Sequence, residues 1–234
     1  MSDCLDVAVP PVILILPDAV AGVVTGSIVT LALPIPLMPE AVDAAADVLV
    51  CSFAADPGLL FVLPDPADRE WLGPTLARAV VRFTRRCGAP LVTSGAVRGV
   101  ALWFPPDAPP PTPADLDETG IAAVPDQIGA DAWARFKRLL DHLDALHPQM
   151  APEPHWYLTM LGVDPSWQHQ GIGEALMQPV FAQADRDGVA CYLESPTAEN
   201  TRYYARRGFA VVGETDVPDS TMHIWMMRRD PSMR

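Results

Sequence analysis

Gly171 and Gly173 stand one residue apart in WQHQGIG, residues 167–173, behind Gln168, His169 and Gln170. An apolar run from Trp156 to Val163 precedes them, and a helical pattern from Glu174 to Asp187 follows. A glycine turn at the mouth of a helix is an anion site. Its backbone N–H groups point outward, the helix dipole adds positive potential, and glycine lets a phosphate approach without a Cβ in the way. The amides of residues 168–173 would carry that site, and the side chains of Gln168 and Gln170 could add bonds. Two nucleotide readings fit poorly. A P-loop needs Lys and a hydroxyl residue after its last glycine, but Glu174 and Ala175 follow here. A dinucleotide fingerprint needs a third glycine where Leu176 stands. Taken alone, the stretch also fits a strand–turn–helix that binds nothing.

The elements around the turn alternate. A strand over 156–163 leads into it and a helix to Asp187 leaves it. A strand over 189–194, a short helix around 199–207, and strands at 209–215 and 221–228 follow. Upstream, residues 40–54 read as an amphipathic helix. Residues 68–87 read as a second, opened by Asp68 as N-cap and kinked or split at Pro74. APLVTSGAVRGVALWFPP reads as a hairpin turning near Ser94–Gly95, with its second strand over 97–104. PPDAPPPTP, 105–113, is a stiff connector into an acidic helical insertion over 114–150. There Trp133, Phe136, Leu139, Leu140 and Leu143 share one apolar face. Ser27–Leu33 reads as the first core strand, and residues 1–26 as an extension of unassigned role. Residues 27–230 then form a single domain.

Charge and cysteine usage narrow the class. The 234 residues carry a net charge of −13, and half are hydrophobic. Such a surface repels phosphate backbones, which argues against nucleic acid as a partner and suits a cationic substrate such as an amine. Cys4, Cys51, Cys87 and Cys191 are dispersed and form no C-x-x-C, as expected of reduced thiols in a cytoplasmic protein. The five histidines show no metal-ligand spacing, so no metal is expected. Ala19–Pro39 holds no charge, but no basic residue precedes Arg69, so neither a secretory signal nor a membrane span is expected there.

LGVDPSWQHQGIGEAL (161–176) and NTRYYARRGF (200–209) together resemble the GNAT superfamily of acetyl-CoA-dependent N-acetyltransferases. The first matches its strand, V-x-P turn and Q-x-x-G-x-G loop; the second matches its closing N…Y-x-x-x-G-F element. Further stretches, among them EPHWYLTMLGVDP, GVACYLES and VPDSTMHIWMMRR, look like the puromycin N-acetyltransferase branch. Position 169 is His where related loops often carry Gly, and 170 is Gln where Arg or Lys is frequent.

The resemblance implies a GNAT fold of the α/β (α+β) type. It has a mixed sheet of about six or seven strands, flanking helices, and the helical insertion between strands three and four. It implies direct attack of an amine on acetyl-CoA in a ternary complex. Coenzyme A would be held by Gln168, His169, Gln170, Gly171, Ile172 and Gly173 at the pyrophosphate, and by the strand edge Leu161, Gly162 and Val163 along the pantetheine arm. Asn200 would bond that arm too, or serve as a helix N-cap. Glu194 would accept the amine's proton, or form a salt bridge or an N-cap-like contact. Tyr204 would protonate the departing thiolate, or simply pack. The acceptor implied is a small-molecule primary amine, such as an antibiotic or amino-nucleoside. A peptide or polyamine acceptor, or a non-catalytic acyl-CoA-binding module, is the alternative. The apolar content of 1–26 and 114–150 also suits self-association as a homodimer.

Overall fold

The structure, a computed structural model, describes residues 14–15 and 33–232. In chain order the strands are β1 (Leu14–Ile15), β2 (Pro34–Pro36), β3 (Leu91–Thr93), β4 (Gly99–Phe104), β5 (His155–Val163), β6 (Ala190–Ser195), β7 (Ala210–Asp216) and β8 (His223–Arg229). The helices are α1 (Val42–Ser52), α2 (Pro57–Val62), α3 (Pro66–Cys87), α4 (Pro113–Thr119), α5 (Val124–Ile128), α6 (Ala130–Met150), α7 (Ile172–Asp187) and α8 (Ala198–Ala205). Seven strands make one mixed sheet in the order β2-β3-β4-β5-β6-β8-β7, and β1 joins it only at β5. The expected fold class is therefore observed. The insertion α4–α6 lies between β4 and β5, the third and fourth strands of that path.

Two apolar layers cover the sheet. On one face α1, α3 and α6 bring Leu49, Phe53, Val80 and Phe136 onto Val100, Leu102 and Met160. On the other, α7 and α8 bring Leu176, Met177, Phe181 and Tyr204 onto Trp103, Leu158, Leu161 and Leu193. In β5, Leu158 and Leu161 face the same layer although they are three residues apart. A bulge explains this. Leu102 pairs with Met160 and Trp103 with Leu158, so Thr159 is the extra residue, and its hydroxyl donates to the Leu102 carbonyl at 3.1 Å. Bulges re-aim side chains and bend the strand.

β5 pairs in parallel with β6 only over His155–Tyr157, ending where Tyr157 faces Tyr192. Beyond that register β6 stays with β8, from Cys191–Arg229 to Ser195–Trp225. A V therefore opens between β5 and β6, with β5's second edge unclaimed by β6 from Leu158 onward.

The expected elements appear with shifted ends. The second helix starts at Pro66 with Asp65 as its cap, the Asp65 carboxylate accepting from the Ala67 N–H at 2.8 Å, so Asp68 is not the N-cap. A proline one residue inside the start is pre-set for a helix, which favours Asp65 over Asp68. The helix runs through Pro74 unbroken to Cys87. The first helix stops at Ser52, and Asp56 caps the short α2. Trp133 stays half-exposed, while Phe136, Leu139, Leu140 and Leu143 are buried as expected. Of the strand expected at Ser27–Leu33, only Leu33 lies within the described residues, as exposed coil before β2. The extension 1–26 lies outside them apart from Leu14–Ile15. Cys51, Cys87 and Cys191 are free thiols. Among the described residues no cluster could hold a metal ion, and no helix is long and apolar enough to cross a membrane.

Candidate active site

The glycine turn lies where β5 hands over to α7. Gly171 is the N-cap of α7 with φ 81°, and no side chain caps the helix. The first-turn amides of Ile172 and Gly173 are thus left to an outside acceptor, the arrangement an anion needs. His169 also takes a left-handed φ, 61°. A side chain there is strained by roughly 1–2 kcal/mol, which accounts for glycine at this place in related loops. The Gln168 side chain is already used: its Nε2 donates to the Val163 carbonyl at 3.1 Å. It ties the loop to the end of β5, so only its backbone amide remains for a phosphate. Gln170 is exposed.

Two residues outside the motif complete this cleft. The Tyr203 hydroxyl lies over Gly173 so closely that a Cβ there would come within 2.7 Å of it. The Arg207 guanidinium stacks on the Tyr203 ring at 3.5 Å, and donates to the Tyr203 carbonyl and the Glu174 carboxylate, both at 2.9 Å. Arg207, Tyr203 and Tyr204 line one cavity with Leu161, Gly171 and Gly173, of about 130 Å3. Arg207 places a guanidinium at this cavity, where Gln170 carries no charge. Its sequence signal was its place four residues beyond Tyr203, one helical turn on. A phosphate-bearing coenzyme fits this donor set: uncapped helix amides, a glycine with no Cβ, and a held guanidinium.

Tyr204 is wholly buried on α8, its ring edge-on to Tyr203 and Phe209 at 5.1 and 5.6 Å. Asn200 is buried one helical turn before it. Its N–H donates to Thr197 Oγ1 at 3.2 Å, so Thr197 is the helix cap and Asn200 is not. The β5 edge expected to be open is partly taken. β1 pairs with it in parallel, Leu14 opposite Met160 and Ile15 opposite Leu161. With β4 on the other edge, β1 occupies the V itself.

Glu194 sits across the V on the opposite face of the sheet, buried between α6 and the β5–β6 pair. Burial pushes its carboxyl up to about 8; the Tyr157 and Tyr192 hydroxyls draw it partly back, and Asp144 adds to the rise. His147 on α6 lies 3.6 Å away through Nδ1. Burial, with His155 beside it, holds the His147 imidazole down at about 4, so it is neutral near pH 7. A carboxyl poised near neutrality in a cleft is a candidate proton acceptor.

On this same face lies an apolar cavity of about 270 Å3 under α1, α2 and α3. Leu49, Phe53, Leu76, Val80 and Met160 form its walls and floor, with Arg69 and Glu70 also lining it. Pro74 has no N–H, so the Glu70 carbonyl one turn earlier loses its helical donor at the cavity wall. Nothing in the residue pattern of α1–α3 had marked these as site residues.

Comparison with known proteins agrees with this geometry. Residues 132–209 match the model of the acetyltransferase (GNAT) family. An uncharacterized N-acetyltransferase of Schizosaccharomyces pombe is 25% identical over 119 residues, which are 49% of this chain and 48% of that protein. The match thus spans about half the length of that curated relative. A Corynebacterium glutamicum structure, described as a histone acetyltransferase and related acetyltransferase, is 26% identical, covers 86% of this chain and 97% of its own, and has a TM-score of 0.57. Arylalkylamine N-acetyltransferase 2 from Aedes aegypti shares the fold at 16% identity and a TM-score of 0.58, over 85% of this chain and 98% of its own.

The chain thus has the fold of the GNAT acetyltransferases, and its residues 132–209 carry the match to that family's model. That family uses acetyl-CoA as its co-substrate.

Proposed function

We propose that this chain transfers the acetyl group of acetyl-CoA to a primary amine of a small molecule, by direct attack in a ternary complex. One observation carries the reading. The uncapped amides of α7 and Tyr204 lie on one side of the β5–β6 opening, and Glu194 lies on the other. A coenzyme arm in the V would present its thioester between them. The amides of 168–173 and Arg207 hold the pyrophosphate. The edge from Leu161 to Val163 pairs with the pantetheine arm, and Asn200 bonds it from α8. Glu194 takes the proton of the acceptor ammonium, and Tyr204 returns one to the thiolate.

The apolar cavity supports an acceptor with a compact hydrophobic body rather than an extended polyamine. Met160 forms part of its floor, one residue from the edge that would hold the arm. The Aedes aegypti relative in fold is named for arylalkylamines. The stretches that look like the puromycin branch, EPHWYLTMLGVDP among them, support an amino-nucleoside within the same class. The test is thiol release from acetyl-CoA across arylalkylamines, puromycin, polyamines and short peptides. Turnover confined to apolar amines is expected. Turnover on peptides or polyamines alone would overturn the acceptor class. Coenzyme binding without turnover on any amine would favour an acyl-CoA-binding module.

A further inference from the structure

Behind Glu194 two histidines make a line to the surface. His147 Nε2 and His155 Nε2 are 2.7 Å apart, and His155 Nδ1 is 2.7 Å from the Glu153 carbonyl oxygen. A carbonyl can only accept, so His155 Nδ1 carries the hydrogen and donates. Burial lowers the His155 imidazole, so the ring is neutral near pH 7 and its Nε2 is bare. His147 Nε2 must then be the donor to it. That leaves His147 Nδ1 bare, facing Glu194 Oε1 at 3.6 Å. Among the described residues, a protonated Glu194 is the group placed to complete the line by donating to His147. Once the carboxyl closes that gap, the donors run in one direction, from the buried Glu194 to the half-buried His155.

Resting on the reading of Glu194 as proton acceptor, we infer that His147 and His155 are a relay that carries the acceptor's proton from Glu194 to solvent. The steps balance. The resting line holds Glu194 as an O–H, which must lose its proton before the carboxylate can accept one. That O–H then breaks as His147 Nδ1–H forms, while the His147 Nε2–H proton passes to His155 Nε2. The His155 Nδ1–H proton leaves to water beside the Glu153 carbonyl. An ammonium N–H bond of the acceptor then breaks as the Glu194 O–H re-forms, so one proton leaves and one enters, and neither ring becomes a cation, which their burial disfavours. Rotation of the two rings restores the starting tautomers. The 3.6 Å gap exceeds hydrogen-bond length by roughly 0.8 Å, so the carboxyl must swing toward His147 to connect the line. The other titratable groups facing it are Tyr157 on β5, Tyr192 on β6, Asp144 on α6, and Glu153 with Arg228 at the His155 end. His147 and His155 act through Glu194 and are positioning residues.

The relay is tested without any acceptor. An ionised Glu194 can only accept, so it must turn His147 into an Nδ1–H donor and reverse the line. Ring 15N spectra of the whole protein should show both histidines changing tautomer together as pH passes about 8, where the carboxyl ionises. Glu194→Gln, whose amide donates at every pH, should abolish the change. Rings that stay fixed through that range, or a change that survives in Glu194→Gln, would overturn the relay.

A kinetic arm uses the best amine of the panel. His155→Gln should lower kcat about tenfold, less than the ~10²–10⁴-fold loss of a direct proton acceptor, with KM for acetyl-CoA unchanged and added imidazole restoring the rate. Loss that imidazole does not restore marks a structural role and overturns it. Should His147→Gln fail to fold, His155→Gln at the outer end decides alone. A slow Glu194→Gln beside a normal His155→Gln would remove the relay and leave Glu194 as base. A fast Glu194→Gln would remove that reading instead.

Discussion

The two sides of the β5–β6 opening are built in different ways. On the α7 side the groups facing the opening are backbone amides and two consecutive tyrosines, all within residues 161–207. On the α1–α3 side the wall is side chains from Leu49 to Val80 closing on Met160, and the titratable cluster joins residues 144–157 to 192–194. Backbone ligation needs one local conformation, and local conformation leaves a motif. A side-chain wall needs only volume and hydrophobicity, which many sequences supply. The proposed coenzyme side can therefore be read from a few letters, and the proposed acceptor side only from the fold.

The widest separation between the two sides should come from their proton-transfer groups. Tyr204→Phe and Glu194→Gln are each expected to lower kcat by ~10²–10⁴-fold in steady-state assays, with acetyl-CoA affinity nearly intact. Equal loss of affinity and turnover in Tyr204→Phe would return Tyr204 to a packing role. Next comes the cleft. Gly173→Ala drives a Cβ toward the Tyr203 hydroxyl at 2.7 Å, and should weaken coenzyme A roughly tenfold by calorimetry. Arg207→Gln should weaken it by a smaller factor and flatten its salt dependence. On the other side, Phe53→Ala should raise KM for an apolar amine severalfold while leaving KM for acetyl-CoA unchanged.

The smallest effect is on stability. Glu194 releases its proton at about 8 when folded and at 4.5 when unfolded, so the folded state holds the extra proton between those values. Stability from this group therefore falls as pH rises from 4.5 to about 8. Asp144, raised to about 6, acts in the same sense below that pH, and His147, lowered to about 4, acts oppositely between 4 and 6.5. From pH 6.5 to 8 Glu194 dominates the three, at about 1.4 kcal/mol per pH unit at most. Thermal melts should show wild type losing a few degrees across that window while Glu194→Gln loses less. Parallel curves would mean that the carboxyl is already ionised at neutral pH.

Particular residues show where sequence reasoning stopped. The strand, turn and helix around Gly171 were legible because glycine spacing and apolar periodicity are local. Asp68 reads as a cap in the sequence, yet Asp65 provides it, because Pro66 outweighs the next acidic residue. Gln168 was expected to reach a phosphate, but the end of β5 offered its amide a nearer carbonyl. His147 and His155 gave no signal because their partnership crosses from α6 to β5. The Thr159 bulge, which sets the facing of Leu161, is visible only once β4 lies beside β5.

β1 is two residues long, yet it gives the opening a resident. Leu14 and Ile15 run parallel to Met160 and Leu161 on the edge that a pantetheine arm would use. One edge holds one partner at a time, so if the arm pairs there as proposed, coenzyme affinity should be scaled down by the fraction of molecules whose V is vacated. The N-terminal strand then becomes a built-in indicator of occupancy. Amide exchange at Ile15 should quicken as coenzyme A saturates the protein.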